Sequence, residues 1–586
     1  MKQFFKFMFA SMLGTFLLVI LVTLIGIGIM AAVVSAASSD ETVISRNTVL
    51  KITLSKAIVD RSSKTKFVMG YAGPDKSTGL NDILENLKKA KKDDNVAGIY
   101  LDLSDIPAGI ATTDEIRDGL LDFKSSGKFI WAYSEVYSQK SYYLATTADK
   151  IFLNPQGIVD FKGLAMQMTF LKGMLDKLDV KMQVIRHGKF KAATEPLFLD
   201  KMSAENRKQT SKLIGDIWEK MLTGIAETRK ISKPELNRIA DSLKIQTAAD
   251  ALKLKFVDQL IYKDELIAEM KKKLNLDEKK NIDFVTLDNY TSVAEKKKTG
   301  TPASKIAVIY ATGSIGGGEG DDQSIGSERI SRAIRKARQD DKIKAIVFRI
   351  NSGGGSALSS DVIWREIDLA RKVKPVVASF GDVAASGGYY IACAATRIIA
   401  EPTTITGSIG VFGLIPNMEG LFTKKLGITF DWAMTNKNGD YIPVMKPLSP
   451  YQSMLLQRDV DNIYDVFTGK VAAGRKLAKA QVDSIGQGRV WSGNDAKTIG
   501  LIDEFGGLTR SIQVAAELAK TTSYKVISLP EQKEWFEQLI DQITGSDPSA
   551  KMKAVLGDDY RYYQYLKEIR EMKGVQTRLL MDTEIN

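Results

Sequence analysis

Ser386 stands at the end of an apolar run, between small residues and two glycines. The stretch 381–390 reads GDVAASGGYY and follows the strand-like run 376–380. A strand that ends in a glycine-rich turn gives a serine an accessible hydroxyl with a backbone N–H beside it. A nucleophilic serine needs both, because the N–H stabilises the oxyanion that forms on the attacked carbonyl. The same pattern also fits an ordinary strand–turn–helix corner, so other parts of the chain must decide.

The chain offers few partners for such a serine. Its 586 residues include one histidine, His187, and one cysteine, Cys393. A single cysteine excludes an intrachain disulfide and a cysteine-based zinc site, and the apolar residues before Cys393 indicate a buried structural thiol. Only His187 could complete a Ser-His-Asp triad or a histidine–metal site. We therefore expect a base other than histidine, with no metal and no cofactor.

The sequence also contains a tandem duplication. Residues 83–94 line up with 330–341, an offset of 247 positions, and the same offset pairs Tyr142-Tyr143 with Tyr389-Tyr390 and Pro155 with Pro402. Two similar units that arose by convergence would not keep this register. We therefore infer two copies of one unit.

The two copies differ where chemistry is expected. At the offset of 247, Ser386 corresponds to Gln139, and the glycine-rich loop 351–356 (NSGGGS) corresponds to 104–109 (SDIPAG). The first copy carries Lys191, and no lysine stands opposite it in the second copy, where 436–447 is the approximate counterpart. Each half thus keeps one part of a site: serine in the second, lysine in the first.

Lysine can act as the base for serine when its amine is neutral. Burial lowers a lysine pKa, and a cleft closed by both copies would provide that burial. We expect Lys191 to be the general base and Ser408, in the sequence TGSIG at 406–410, to orient its amine. For the oxyanion we expect the N–H of Gly387 and one from Gly354 or Gly355.

Alternative bases lie close to Lys191. Lys189 is the nearest rival, because two neighbouring amines lower each other's pKa by repulsion, and a pair of Ser386 with His187 is a further alternative. Taken in isolation, Lys191 would be an ordinary solvated lysine. The stretch 316–320 (GGGEG) lacks the lysine-threonine ending of a phosphate loop and indicates a flexible turn.

Composition is ordinary for a globular protein. The chain is 44% hydrophobic and 26% charged, with 82 Lys and Arg against 70 Asp and Glu and a formal net charge of +12. No aromatic-plus-basic pattern supports nucleic-acid binding. We interpret the basic excess as solvated surface, with attraction to anionic lipid as a weaker alternative.

The N-terminus carries a long apolar segment. Lys2 and Lys6 precede an uncharged run from Phe7 to about Ala37. A secretory signal has an apolar core of about 7–15 residues, whereas a bilayer crossing needs about 20. Although 34–36 (VSA) resembles a cleavage site, we favour a retained single-pass anchor with a cytoplasmic N-terminus and a translocated body.

Strand-like and helical runs alternate after Thr48. Strands are predicted at 96–103 and 128–133, a helix at 114–123 and the start of another at 142–147. This alternation indicates an α/β fold with parallel strands. We divide the chain into a cytoplasmic N-terminus (1–8), an anchor (9–37), two repeats (45–292 and 305–530) joined by a linker (293–304), and a C-terminal extension (531–586) in which we expect packing or subunit contacts without chemistry.

The two halves resemble the long, duplicated form of the signal peptide peptidase A (protease IV) family. The resemblance covers about residues 45–530, and five segments carry it: 137–145 (YSQKSYYLA), 154–157 (NPQG), Lys191 with 195–196 (EP), 385–389 (ASGGY) and 406–410 (TGSIG). The family commonly has proline where Gly353 stands here, which leaves this loop more flexible.

This resemblance carries implications for fold and function. It implies a fold similar to the Clp protease and crotonase superfamily, with a Ser/Lys dyad. It implies a serine peptidase of the cytoplasmic membrane whose bulk is periplasmic and which degrades signal peptides after their release from preproteins. It also implies a bowl-like homo-oligomer, expected as a tetramer, whose apolar grooves face the membrane.

Two other classes of function stay open at this point. A crotonase-like acyl-CoA enzyme also uses glycine-rich oxyanion loops, but predicted export argues against it because acyl-CoA is cytoplasmic. A non-catalytic membrane scaffold with the same fold is the other alternative. The leading hypothesis is an extracytoplasmic endopeptidase for extended apolar peptides, which bind by adding a strand to a sheet edge.

Overall fold

The computed structural model describes residues 2–37, 42–62, 77–294, 304–532 and 575–578. The elements of the first half are, in chain order, α1 (Lys2–Ala37), β1 (Thr48–Ile52), β2 (Ile58–Val59), β3 (Thr78–Gly79), α2 (Leu80–Lys92), β4 (Val96–Asp102), α3 (Ile110–Lys124), β5 (Phe129–Tyr137), α4 (Gln139–Ala145), β6 (Lys150–Val159), α5 (Lys172–Lys177), β7 (Lys181–His187), a 3-10 helix (Ala192–Leu197), α6 (Ala204–Arg229), α7 (Lys233–Asp241), α8 (Ala248–Lys253), β8 (Gln259–Leu260), α9 (Lys263–Lys273), β9 (Phe284–Thr286) and α10 (Leu287–Thr291).

The second half repeats the pattern. Its elements are β10 (Ser304–Thr312), β11 (Ser314–Gly316), β12 (Ser324–Gly326), α11 (Ser327–Gln339), β13 (Ile343–Ser352), β14 (Gly354–Ser356), α12 (Ala357–Ala370), β15 (Val376–Ala385), α13 (Gly387–Ala392), β16 (Arg397–Ala400), β17 (Ile405–Gly407), β18 (Val411–Asn417), a π-helix (Leu421–Lys425), α14 (Pro450–Arg475), α15 (Lys479–Ile485), β19 (Val490–Ser492), α16 (Gly493–Thr498), β20 (Glu504–Phe505), α17 (Leu508–Leu518), β21 (Tyr524–Leu529) and β22 (Val575–Arg578).

Each half builds one mainly parallel sheet with helices on both faces. The first sheet has the order β8-β6-β5-β4-β1-β9, and the second has β19-β17-β15-β13-β10-β21, with β16 beside β15. Along β4 the side chains alternate: Ile99 and Leu101 enter the larger core, while Tyr100 enters the core on the opposite face. Strands covered on both faces are typical of parallel sheets, so the predicted α/β fold is confirmed.

The duplication is visible in matching helices. Helices α6 and α14 each span 26 residues, begin after a serine whose side chain caps the helix, and end at a lysine in the left-handed conformation. These lysines, Lys230 and Lys476, have φ values of 58° and 56°. Caps and termination points repeat together with the elements, as expected for two copies of one unit.

A third sheet joins the two halves. Its order is β12-β11-β14-β22-β18-β7, so it contains a strand of the first half, β7, beside a strand of the second, β18. The antiparallel pairing runs from His187 opposite Val411 to Lys181 opposite Asn417. The segment after β7 is thereby brought to the edge of the second half.

A buried charge cluster also couples the halves. Arg349 on β13 pairs with Asp60 at 2.7 Å and with Glu115 on α3 at 2.6 Å, and all three side chains are almost fully buried. Burial alone would lower the pKa of Arg349, but the two carboxylates outweigh it and raise the pKa. The cluster holds the first half against the second sheet.

The structure shifts the bounds of one predicted element. The helix expected to start within 142–147 instead begins at Gln139 and ends at Ala145, because the Ser138 side chain accepts a hydrogen bond from the Ser141 amide and caps it. Within the described residues, one helix, the stretch Lys2–Gly26 of α1, is long and apolar enough to cross a membrane. Most of the predicted linker and of the predicted extension lies outside the described residues.

Candidate active site

Ser386 lies at a sharp turn between β15 and α13. Its backbone has φ 55° and ψ −115°, and its side chain is fully buried. We expected the glycines to make the turn, but the left-handed residue is Ser386 itself. The glycines serve close approach: a Cβ on Gly388 would lie 2.5 Å from the Ser352 carbonyl oxygen. A non-glycine residue held at positive φ is costly, and such strain concentrates at functional sites.

Lys191 reaches Ser386 from the other half of the chain. It follows β7, and its Nζ lies 2.8 Å from Ser386 Oγ and 3.0 Å from Ser408 Oγ. Nζ also donates to the Ser408 carbonyl oxygen at 3.2 Å. The structure therefore brings together the three side chains that the sequence singled out.

Burial sets the protonation of Lys191. The side chain is 1% exposed, and removal from water lowers its pKa from 10.5 to about 7. The aliphatic part of the Lys191 side chain packs against two glycines. A Cβ on Gly488 would lie 2.6 Å from Lys191 Cβ, and one on Gly410 would lie 3.2 Å from Lys191 Cδ. These glycines let the surrounding backbone close around the amine, which keeps water away from it.

Ser408 is held by its backbone. It follows β17 with φ 48°, its amide donates to the Arg489 carbonyl at 2.7 Å, and its hydroxyl donates to the Gly488 carbonyl at 3.4 Å. Both contacts fix the position of the hydroxyl beside the amine. Ser408 is therefore placed to orient Lys191.

The expected oxyanion residues lie beside the serine. Gly354 has φ 101°, and a Cβ on it would lie 2.6 Å from the Gly387 amide nitrogen. The Gly354 amide already donates to Ser352 Oγ at 3.1 Å. Of the three expected residues, Gly354 is thus the weakest candidate for donating to an oxyanion, and its lack of a Cβ leaves room for the Gly387 amide.

The rival bases are placed elsewhere. Lys189 is exposed to solvent. His187 Nδ1 lies 2.7 Å from Asp461 Oδ1, and its ring stacks on Tyr464 with centroids 3.9 Å apart. The hydroxyl of Ser386 instead contacts Lys191 and donates to the Gly410 carbonyl at 3.4 Å. Among the alternatives weighed from sequence, the geometry favours Lys191.

In the first half, Gln139 occupies the position that corresponds to Ser386. Gln139 Oε1 accepts from the amides of Lys162 and Gly163, and Nε2 donates to the Gly163 carbonyl at 2.9 Å. Gly163 stands 247 positions before Gly410, the residue that Ser386 contacts. In this copy an amide whose hydrogen bonds are made to the neighbouring backbone thus stands in place of the Ser386 hydroxyl.

Cys393 agrees with its predicted role. The thiol is fully buried, donates to the Tyr390 carbonyl at 3.2 Å, and has its pKa raised to about 12 by burial. A thiol with so high a pKa is chemically inert at neutral pH.

Two contributors to the site were missed from sequence. Gly488 packs on Lys191 from a position almost 300 residues away, and β22 lies in the same sheet as β14. The run 486–488 (GQG) contains Gly488 and weakly indicated an unusual backbone conformation. The four residues of β22 (VQTR) indicated no role in the site, and we expected the extension around them to make only packing or subunit contacts.

The chain is similar to known peptidases over most of its length. The pattern of peptidase family S49 matches residues 122–277 and 368–522, more than half of the chain. Protease 4 of Salmonella typhi is 36% identical over 549 residues, covering 90% of this chain and 87% of that protein. The chloroplastic serine protease SPPA of Arabidopsis thaliana is 34% identical over 547 residues, covering 91% and 78%.

ClpP1 from Listeria monocytogenes matches 34% of this chain and 91% of its own, with 16% sequence identity and a TM-score of 0.23. The family match occurs twice, once in each half, so the predicted duplication and the resemblance are confirmed. The chain belongs to peptidase family S49 and is a serine peptidase built from two repeats.

Proposed function

We propose that this chain is a membrane-anchored serine endopeptidase in which Ser386 is the nucleophile and Lys191 the general base. The observation that carries the proposal is the 2.8 Å contact between Lys191 Nζ and Ser386 Oγ inside a buried site. A hydrogen-bonded pair of nucleophile and base, with the base oriented by a third group, is the arrangement that activates a serine. Ser408 is that third group.

The chemistry follows from these contacts. Neutral Lys191 takes the proton of Ser386 as Oγ attacks the peptide carbonyl, and the resulting ammonium donates to Ser408. The Gly387 amide, with Gly355 beside it, stabilises the oxyanion, and the ammonium then protonates the leaving amine. Water hydrolyses the acyl-enzyme by the same route.

The substrate is an extended peptide. Strands β14 and β18 flank the site, and a peptide that lies between them can form ladder hydrogen bonds to both. Backbone pairing is independent of side-chain identity, so apolar subsites set the preference. Cleaved signal peptides and similar apolar segments fit such a groove, and the anchor holds it where they accumulate.

We place the protein in the cytoplasmic membrane as a single-pass protein. Helix α1 begins with Lys2 and Lys6, and positive charge at this end favours a cytoplasmic N-terminus and a periplasmic body. The repeats at 45–292 and 305–530 would then act as one unit, the first supplying lysine and the second supplying serine.

We further propose a homo-oligomer, as a tetramer. Beyond β18, large apolar side chains are exposed, among them Leu426 at 59%, Ile428 at 46% and Trp432 at 42%. Such a patch on a folded domain marks a contact surface. Peptide substrates, the lipid bilayer and other copies of the chain are thus the proposed partners, with no role for nucleic acid.

The test is a peptide-cleavage assay on the full chain in detergent. We expect Ser386→Ala and Lys191→Ala to lose activity by at least about 10³-fold while keeping wild-type circular dichroism. Lys189→Ala is the matched control and should retain activity, because its side chain is exposed. Activity that survives in Lys191→Ala but not in Lys189→Ala would move the base to Lys189.

A further inference from the structure

Gln209 on α6 links two segments of the site that belong to different repeats. Its side chain is buried, its Nε2 donates to the Phe190 carbonyl at 3.3 Å, and its Oε1 accepts from the Val490 amide at 3.2 Å. Phe190 directly precedes Lys191, and Val490 begins β19. One side-chain amide thus joins the lysine loop of the first half to a strand of the second.

The backbone of Phe190 is held at both of its polar groups. Its amide donates to the Gln487 carbonyl at 3.0 Å, and its carbonyl accepts from the Ala192 amide at 2.7 Å as well as from Gln209. These bonds restrict the backbone that leads into Lys191. Such restriction matters for catalysis, because a displacement of about 1 Å in a reacting group can cost about 10²-fold in rate.

The other end of the link lies on the backbone beside the two serines. Val490 stands opposite Gly407 in the pairing of β19 with β17. The carbonyl of Arg489, the residue before Val490, accepts from the Ser408 amide at 2.7 Å, and the Gly407 carbonyl accepts from the Ser386 amide at 2.8 Å. The link therefore ends on the strand pair that fixes both serines.

Neighbouring groups set the orientation of the Gln209 amide. Its Nε2 also donates to Asn206 Oδ1 at 3.3 Å, and Asn206 Nδ2 donates to Glu195 at 2.9 Å. Glu195 is buried and accepts from both the amide and the hydroxyl of Ser203. Because Gln209 Oε1 faces an N–H donor and Nε2 faces two acceptor oxygens, a flipped amide would lose all three hydrogen bonds.

The second copy has leucine at the matching position. Gln209 is the sixth residue after Ser203, which caps α6, and Leu455 is the sixth residue after Ser449, which caps α14. The two helices agree in length, cap and termination, so these positions are equivalent. Glutamine is thus present in the copy that carries the lysine and absent from the copy that does not.

We propose that Gln209 is a positioning residue that holds the lysine of the first repeat at the serine of the second. The inference rests on the proposed peptidase function. Gln209 acts through the backbone of Phe190 and Val490, and its own side chain takes no part in proton transfer. Without this link, the segment before Lys191 gains freedom and water reaches the amine, which raises the pKa of Lys191 toward its ordinary value.

Cleavage of an added apolar peptide by the full chain, measured as a function of pH, tests this role. We expect Gln209→Leu to lower kcat by about 10–100-fold with KM within about twofold of wild type. The acidic limb of kcat/KM should move to higher pH by at least about 0.5 unit, because a hydrated amine keeps its proton to higher pH. Gln209→Met, which keeps the length of the side chain, gives the same test if the leucine variant fails to fold.

Gln452→Leu is the matched control. Gln452 is also a buried glutamine, on α14, and its side chain bonds the Ser449 amide and Asp440. Each substitution removes the hydrogen bonds of one buried glutamine, so we expect similar losses in the free energy of unfolding. The control should nevertheless keep the acidic limb of wild type, since it leaves the link to Phe190 intact.

Hydrogen exchange measures the link without any activity. In Gln209→Leu, peptic fragments that contain residues 188–192 and 488–492 should exchange at least about threefold faster than in wild type, whereas Gln452→Leu should leave both rates unchanged. An unmoved acidic limb in Gln209→Leu, with or without faster exchange, overturns the positioning role and leaves the peptidase function standing. Wild type that cleaves no peptide overturns the proposed function and this inference with it.

Discussion

The amine of Lys191 and the hydroxyl of Ser386 lie 2.8 Å apart although 195 positions separate them in the chain. The lysine comes from the first repeat and the serine from the second. Their contact depends on the antiparallel pairing of β7 with β18, which delivers the lysine to the end of β15. The site therefore belongs to the junction of the repeats.

The pH dependence of kcat/KM should report the Lys191 amine. Burial lowers its pKa to about 7, and only the neutral amine can accept the serine proton. Below pH 7 we expect kcat/KM to fall about tenfold per pH unit, with a plateau above. His187→Asn is the control and should keep the same acidic limb. A limb near pH 10.5, the ordinary pKa of lysine, would contradict burial of the base.

Removal of the Ser408 hydroxyl should slow catalysis without weakening substrate binding. The hydroxyl lies 3.0 Å from Lys191 Nζ, and an unoriented amine spends less time aligned with Ser386. We expect Ser408→Ala to lower kcat by about 10–100-fold with little change in KM. Ser408→Gly removes the same hydroxyl but suits the positive φ. An equal loss in both variants assigns the effect to the hydroxyl, and a loss in alanine alone assigns it to the backbone.

Gly354→Ala should close the substrate groove. A Cβ there would lie 2.6 Å from the Gly387 amide nitrogen, and the φ of 101° strains any other residue. We expect kcat/KM for an added peptide to drop by more than about 10²-fold, since both the groove and the oxyanion amide are disturbed. Gly317→Ala is the matched control because its Cβ meets nothing within 4 Å. Equal activity of the two variants would contradict the assigned groove.

Replacement of Arg349 should lower the free energy of unfolding. Its guanidinium neutralises Asp60 and Glu115, and its removal leaves two buried carboxylates without a cation. We expect Arg349→Met to cost about 3–5 kcal/mol in the free energy of unfolding, measured by urea denaturation. Arg332→Met is the control: its side chain is 61% exposed in its pair with Glu319, so we expect a loss below about 1 kcal/mol. Similar losses in the two variants would show that the buried cluster stabilises the fold no more than an exposed ion pair does.

The sequence predicted which side chains meet at the candidate site better than it predicted their surroundings. Ser386 and Lys191 were found because the two copies differ at these positions, and Ser408 because it sits in a short glycine-flanked motif. The alternating apolar runs predicted parallel strands, which the two sheets confirm.

What the sequence did not predict depends on contacts between distant segments. The positive φ of Ser386 occurs where Gly387 and Gly388 pack closely against Ser360 and Ser352, contacts between distant segments that no local pattern records. Strand β22 has four residues and exists only through its pairing with β14 and β18. A segment that short has no periodicity of its own, so its place in the site could be seen only in three dimensions.

The pairing of β7 with β18 also constrains how the gene can change. Seven residue pairs span the border between the copies, and the lysine that follows β7 contacts a serine encoded in the other copy. On the proposed mechanism, neither copy can be lost, because each supplies one of the two residues of the dyad. A descendant with one repeat must take its lysine from within that repeat or from an adjoining molecule, so the doubling, once specialised, became irreversible by simple deletion.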